Sequence, residues 1–284
     1  MILRLALLAA FGCALSSGIA TVLQKMSADK QASVIPINVG VLIRIMRDLP
    51  YLVGILLDLL AWILTLFAVH SLPLFIVQPI IAFSVVVTAL VESFVFHRKL
   101  GRLTVMSIGF IVFGLLILGV TAAPETVGNI NNTVRLTIIT APLLLAAIGA
   151  IFVKKTSRSS AIVLAVISGL AFGADSIAGR MLVYSPPYWK VLIDPLPVAM
   201  LAYGIIGIFM LTISLQRQLA SVVMAIVLTS ETIAAIVIGL LFLGDSPRHG
   251  LWLLMILGAS IALVGSVIVA TKNKTEVSAP PQAI

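Results

Sequence analysis

The sequence predicts an all-α polytopic membrane bundle, built from two inverted-topology repeats of four spans joined by one extra span. Three observations carry this expectation. Of 284 residues, 61% are hydrophobic and only 10% are charged, with a mean hydropathy of +1.23, whereas soluble domains carry about 25% charged residues. The apolar stretches are continuous and do not alternate. That is helix rather than barrel patterning, and in lipid each segment must satisfy its own backbone. Finally, a pattern of small residues near the start returns in the second half. A span takes about 20 residues, so the chain leaves no room for a soluble catalytic domain.

Nine spans are expected, near 2–25, 50–69, 73–96, 102–121, 134–153, 160–183, 195–214, 218–242 and 247–270. They divide into a first repeat (1–121), a connecting span (134–153), a second repeat (160–270) and a polar, disordered cytoplasmic tail (271–284). The apolar run around Cys13 is too long for a cleaved signal core. It bears a faint likeness to a lipoprotein signal, but a plain membrane cysteine is the better reading, and a single Cys excludes an intramolecular disulfide.

The net charge of +8 would suggest nucleic acid in a soluble chain. Here it reads as topology, with lipid as the surroundings and no nucleic-acid partner. The loops after spans one, three, five, seven and nine hold 13 Lys and Arg, from Lys25 to Lys274, and the other side holds 5. Basic residues collect in the cytoplasm, so a multi-pass protein of the cell membrane is expected, N-terminus outside and C-terminus inside. Residues 33–48 are apolar but short and carry Arg44 and Arg47. They read as an amphipathic helix on the membrane surface; the alternative is a short tenth span, which would put the N-terminus inside.

The repeat is seen at a constant offset of 155: Leu15 meets Leu170, Gly18 meets Gly173 and Lys25 meets Arg180. Ala14 and Gly18, then Gly169 and Gly173, are small residues four apart, which let helices approach closely. The last span of each repeat carries small residues seven apart, Ser107 and Gly114, then Gly258 and Gly265. Four spans return the chain to its starting side, so the single span 134–153 inverts the second repeat. Secondary transporters use this architecture to alternate access around a midplane site.

Three stretches, FGCALSSGIATVLQK with its echo ISGLAFGADSIAGR, LPLFIVQPIIAFSVVVTALVESFVFHRKLG, and LASVVMAIVLTSETIAAIVIGLLFLGDSP, resemble the drug/metabolite transporter superfamily with its EamA-type repeats. The nine-span count and the short loop between spans two and three are similar to the NIPA-like magnesium transporter branch. The resemblance implies transport of a small solute or cation. Two departures keep the substrate open. Asp245 sits where EamA-type second repeats place an acid after the closing Gly, but His97 takes that place in the first repeat. Asp58 falls about one helical turn before the acid of NIPA-like proteins.

Ionisable residues inside a membrane are costly, about 2.5–3.5 kcal/mol each at the bilayer centre, and are functional candidates by default. Asp58 lies near the middle of span two among apolar neighbours; it is a cation or proton site, or a structural acid bonded to another helix. Glu231 lies in span eight among Thr229, Ser230 and Thr232, whose hydroxyls read as a lined cavity. Asp175 lies past the middle of span six, five residues from Arg180. Gln78 precedes Pro79, which frees a backbone carbonyl. These four residues are the expected substrate or ion site, with Asp58 and Glu231 the ligands if the ion is magnesium, which uses one or two carboxylates. Glu92 reads as part of a surface ion pair beside His97, Arg98 and Lys99, and Lys25 as a side chain snorkelling to the interface. The three His residues show no zinc spacing, and no GxSxG, P-loop or GxGxxG occurs, so neither an enzyme nor a cofactor is expected. The leading expectation is a secondary transporter. The rival is a non-transporting accessory protein for envelope enzymes.

Overall fold

The computed structural model describes residues 2–30, 39–71, 80–97, 101–121, 132–183, 194–243 and 247–272. Among them there is no strand. The helices are α1 (Ile2–Lys30), α2 (Val39–Arg47), α3 (Leu49–Ser71), α4 (Ser84–Val95), α5 (Arg102–Thr121), α6 (Asn132–Val153), α7 (Arg158–Val183), α8 (Leu196–Arg217), α9 (Ala220–Ile238) and α10 (Trp252–Lys272). α9 runs on through a wider π turn, Gly239–Leu243.

Six helices are long and apolar enough to cross a bilayer, and Leu49–Thr65, Ile80–Val95 and Trp252–Ile268 are shorter apolar helices. These nine fall on the nine expected spans, so the chain is a multi-pass helical membrane bundle. Large apolar side chains such as Leu143 (75% exposed) and Leu253 (83%) face outward, which suits lipid and would be a liability in water. α2 is nine residues long and reaches about 13 Å at 1.5 Å per residue, less than half of the ~30 Å apolar thickness. Its Ile45 packs on Tyr51 of α3, while Arg44 and Arg47 are exposed.

The packing follows the small residues. α1 packs on α3 and α4, α7 on α8 and α9, and α5 on α10. A Cβ on Gly18 would lie 2.6 Å from Val87 Cγ1 and 3.0 Å from the Ser84 carbonyl of α4. A Cβ on Gly173 would lie 2.8 Å from the Glu231 carbonyl and 3.2 Å from Ala234 Cβ of α9. Gly169 is tighter still: its Cβ would collide with the Val227 carbonyl. Between α5 and α10, a Cβ on Gly114 would lie 2.6 Å from the Gly258 carbonyl, and one on Gly265 would lie 2.9 Å from the Ser107 carbonyl. With lipid outside, such van der Waals contact is what holds helices together. One apolar cluster, including Val22, Val85, Ile111, Val223 and Ala262, joins α1, α4, α5, α9 and α10. α6 stands at the edge against α7 and α8, with only Ile138, Pro142 and Gly149 buried.

At the start of α8, the Asp194 carboxylate accepts the Leu196 N–H at 2.9 Å and the Arg135 guanidinium of α6. Burial pushes this carboxyl up, but the Leu196 N–H, the Arg135 hydrogen bond and the Arg135 charge together hold it below the usual value.

Two predictions follow from this packing. Gly169→Ala and Gly173→Leu should lower thermal stability in detergent, since overpacking costs about 1–3 kcal/mol. Gly109→Ala and Gly204→Ala, whose Cβ atoms would meet nothing within 4 Å, should leave it unchanged. A group with a lowered native pKa contributes stability above its unfolded value, about 4 for Asp, and loses it as pH falls through the native value. The melting-temperature gap between the wild type and Asp194→Asn should therefore be full near neutrality and close on acidification below about pH 4.

Candidate functional site

Asp58 finds its partner on a neighbouring helix. Gly54, one turn earlier on α3, faces the Ala20 carbonyl and the Gln24 side chain of α1. This brings the helices close enough for Gln24 Nε2 to donate to Asp58 Oδ2 at 2.6 Å. One helical stretch further along the same seam, Cys13 Sγ and Thr65 Oγ1 lie 2.9 Å apart. Asp58 is thus a largely buried acid held across the α1–α3 contact, and Gln24 is what holds it.

Asp175 and Glu231 come together at the α7–α9 crossing. The glycines at 169 and 173 bring the α7 backbone onto the stretch Val227–Ala234, and Asp175 lies half a turn beyond Gly173. Its carboxyl is within electrostatic reach of both Glu231 and Tyr203. The Tyr203 hydroxyl is turned away to donate to the Ile138 carbonyl at 2.7 Å. Asp175 Oδ1 is buried without a hydrogen-bond partner among the described residues.

Two of the three hydroxyls expected to line a cavity around Glu231 are engaged within their own helix. Thr229 and Thr232 donate to the Ala225 and Leu228 carbonyls four residues back, at 2.7 and 2.8 Å, and Ser266 of α10 donates to Thr229 at 2.8 Å. A threonine inside a helix has one proton, and the preceding turn takes it. Gln78, Asp245 and the side chain of Arg180 lie outside the described residues. Asp58 shares no described contact with Asp175 or Glu231, so two acidic places are seen, one in each half of the chain.

Two further expectations are corrected. Glu92 is not in a surface ion pair: it is 2% exposed, and its carboxylate accepts the Ala220 N–H at 2.6 Å, the Ser221 N–H at 2.9 Å and the Ser221 hydroxyl at 2.6 Å. Its basic neighbours in sequence suggested a surface role, but the free N–H groups starting α9 are the stronger attraction for a buried anion. Lys25 does not snorkel. It is 6% exposed and donates to Asp29 at 2.7 Å and to the Leu215 carbonyl at the end of α8 at 2.9 Å.

Among the described residues, no group of three or more His, Cys, Asp or Glu side chains gathers where it could hold a metal ion. Comparison with protein-family models, curated proteins and solved structures gave no match.

The Gln24–Asp58 geometry has a measurable consequence. Gln24→Leu should destabilise the protein by about 1–3 kcal/mol, because Asp58 is left buried without its donor. Asp58→Asn retains an acceptor for Gln24 and should cost less. The double variant Gln24→Leu/Asp58→Leu should recover most of the loss, and chemical denaturation of the four proteins in detergent would measure the coupling.

Proposed function

We propose that the chain is a secondary transporter of the drug/metabolite type, moving a small solute or cation across the cell membrane by alternating access. In this reading the two halves are inverted repeats and α6 is the connecting span. The N-terminus lies outside and the C-terminus in the cytoplasm, following the distribution of Lys and Arg. Support for the repeat comes from the matched crossings. Gly18 meets the Ser84 carbonyl and Val87, while Gly173 meets the Glu231 carbonyl and Ala234. Both pairs of contacts are three residues apart, so Ser84 and Glu231 occupy equivalent places.

The observation that carries the transport reading is the Asp175–Glu231 pair. Two carboxyls on the closely packed α7 and α9, inside an apolar bundle and with Asp175 Oδ1 buried and unpartnered among the described residues, are costly to keep charged without a companion. A proton or a cation supplies it, and exchanging that companion from one side to the other is what a coupled transporter does. Magnesium fits this class, since it keeps most of its waters and needs only one or two carboxylates. Asp58 contributes the acid of the first half, which has Ser84 where the second has Glu231.

The test is uptake into vesicles, with and without a pH gradient, by the wild type, Glu231→Gln and Asp175→Asn. Both variants should keep the fold. Each should abolish uptake or uncouple it from the proton or cation gradient, while a buried acid kept only for packing would leave uptake at the wild-type rate.

A further inference from the structure

We infer that the end of the bundle holding Lys25, Glu92 and Arg217 is a reversible gate between the two halves, with the Glu92 carboxylate as its latch. The inference rests on the alternating-access reading and adds to it the place where the seam opens. Three of the polar links that cross the seam at this end, among the described residues, carry the inference. Glu92 of α4 takes the first two N–H groups and a hydroxyl of α9. Lys25 of α1 donates to the Leu215 carbonyl near the end of α8. The Tyr51 hydroxyl of α3 meets Thr212 Oγ1 of α8 at 2.8 Å. Each runs from a helix of the first half to a helix of the second.

The chemistry of these links suits a seam that parts. α9 has no side-chain cap of its own, because Leu219 stands at its N-cap; its free N–H groups depend on an acid from the other half. Beside the Lys25 link, the Gln216 side chain is 9% exposed, and both of its amide atoms are buried without a partner among the described residues. A permanently closed seam would be better filled by apolar side chains, since an unpaired buried amide is a net cost. Opening admits water to Gln216 and to the α9 N-terminus and so satisfies both. Of the polar links across this end, the Glu92 carboxylate makes the most hydrogen bonds, and each is charge-assisted.

The gate is read by thiol labelling of the full chain in detergent, with no solute present. A Gln216→Cys probe in a Cys13→Ser background should label slowly. Adding Glu92→Gln, which removes the charge facing the α9 N–H groups, should raise the rate about tenfold, in line with a hydrogen bond to a charged group. The native Cys13, 4% exposed in the α1–α3 seam, reports on general loosening when Glu92→Gln is made alone. An unchanged Gln216→Cys rate, or an equal rise at Cys13, would overturn the latch. Should Glu92→Gln fail to fold, Ser221→Ala decides: a faster Gln216→Cys rate with Cys13 unchanged supports the latch, and an unchanged rate refutes it. Because no solute is used, a gate that opens in a protein with no uptake sinks the transport reading alone, and uptake with unchanged labelling sinks the latch alone.

Discussion

The approach of α7 to α9 at Gly169 and Gly173 is the constraint on which the rest of the second half depends. A Cβ at either position would meet backbone or Cβ atoms of α9 at or inside contact distance, so the two helices touch almost backbone to backbone. Lipid tails are as apolar as leucine and give helices little reason to associate, which leaves close packing as the force available. The crossing also sets the chemistry. It carries Asp175, just past Gly173, into the field of Glu231.

The same device at Gly54 produces a different result in the first half. There α1 and α3 close on a Gln24–Asp58 hydrogen bond, so the acid is neutralised in part by a donor. In the second half Asp175 Oδ1 is buried without a hydrogen-bond partner among the described residues. Glycines bring helices close in both halves, while the acids there are satisfied differently.

Polar side chains tie the bundle together mainly at helix ends. Glu92 caps α9, Lys25 takes a carbonyl at the end of α8, and Arg217 donates to the Val153 and Lys155 carbonyls at the end of α6, at 2.8 and 2.7 Å. Asp194 caps the start of α8. Helix termini leave backbone groups unsatisfied, and these charged side chains serve them from neighbouring helices. Charge that looks like surface decoration in the sequence is structural in the fold.

The apolar helices, their approximate bounds and the glycine crossings were legible in the sequence because each depends on local composition: lipid rewards unbroken apolar runs, and only small residues permit backbone contact. Asp58, Asp175 and Glu231 were legible as unusual for the same reason, being charges where charge is costly. Partnership was not legible. Gln24 to Asp58 spans 34 residues, Lys25 to Leu215 spans 190 and Glu92 to Ser221 spans 129, and no local pattern encodes such meetings. Glu92 beside His97 and Arg98 reads as an ion pair until α9 is seen to start against it. That Thr229 and Thr232 donate to carbonyls of their own helix is likewise seen only in the structure. Composition and periodicity decide which segments are helices and which faces approach; which charge meets which helix end is decided only when distant helices are packed.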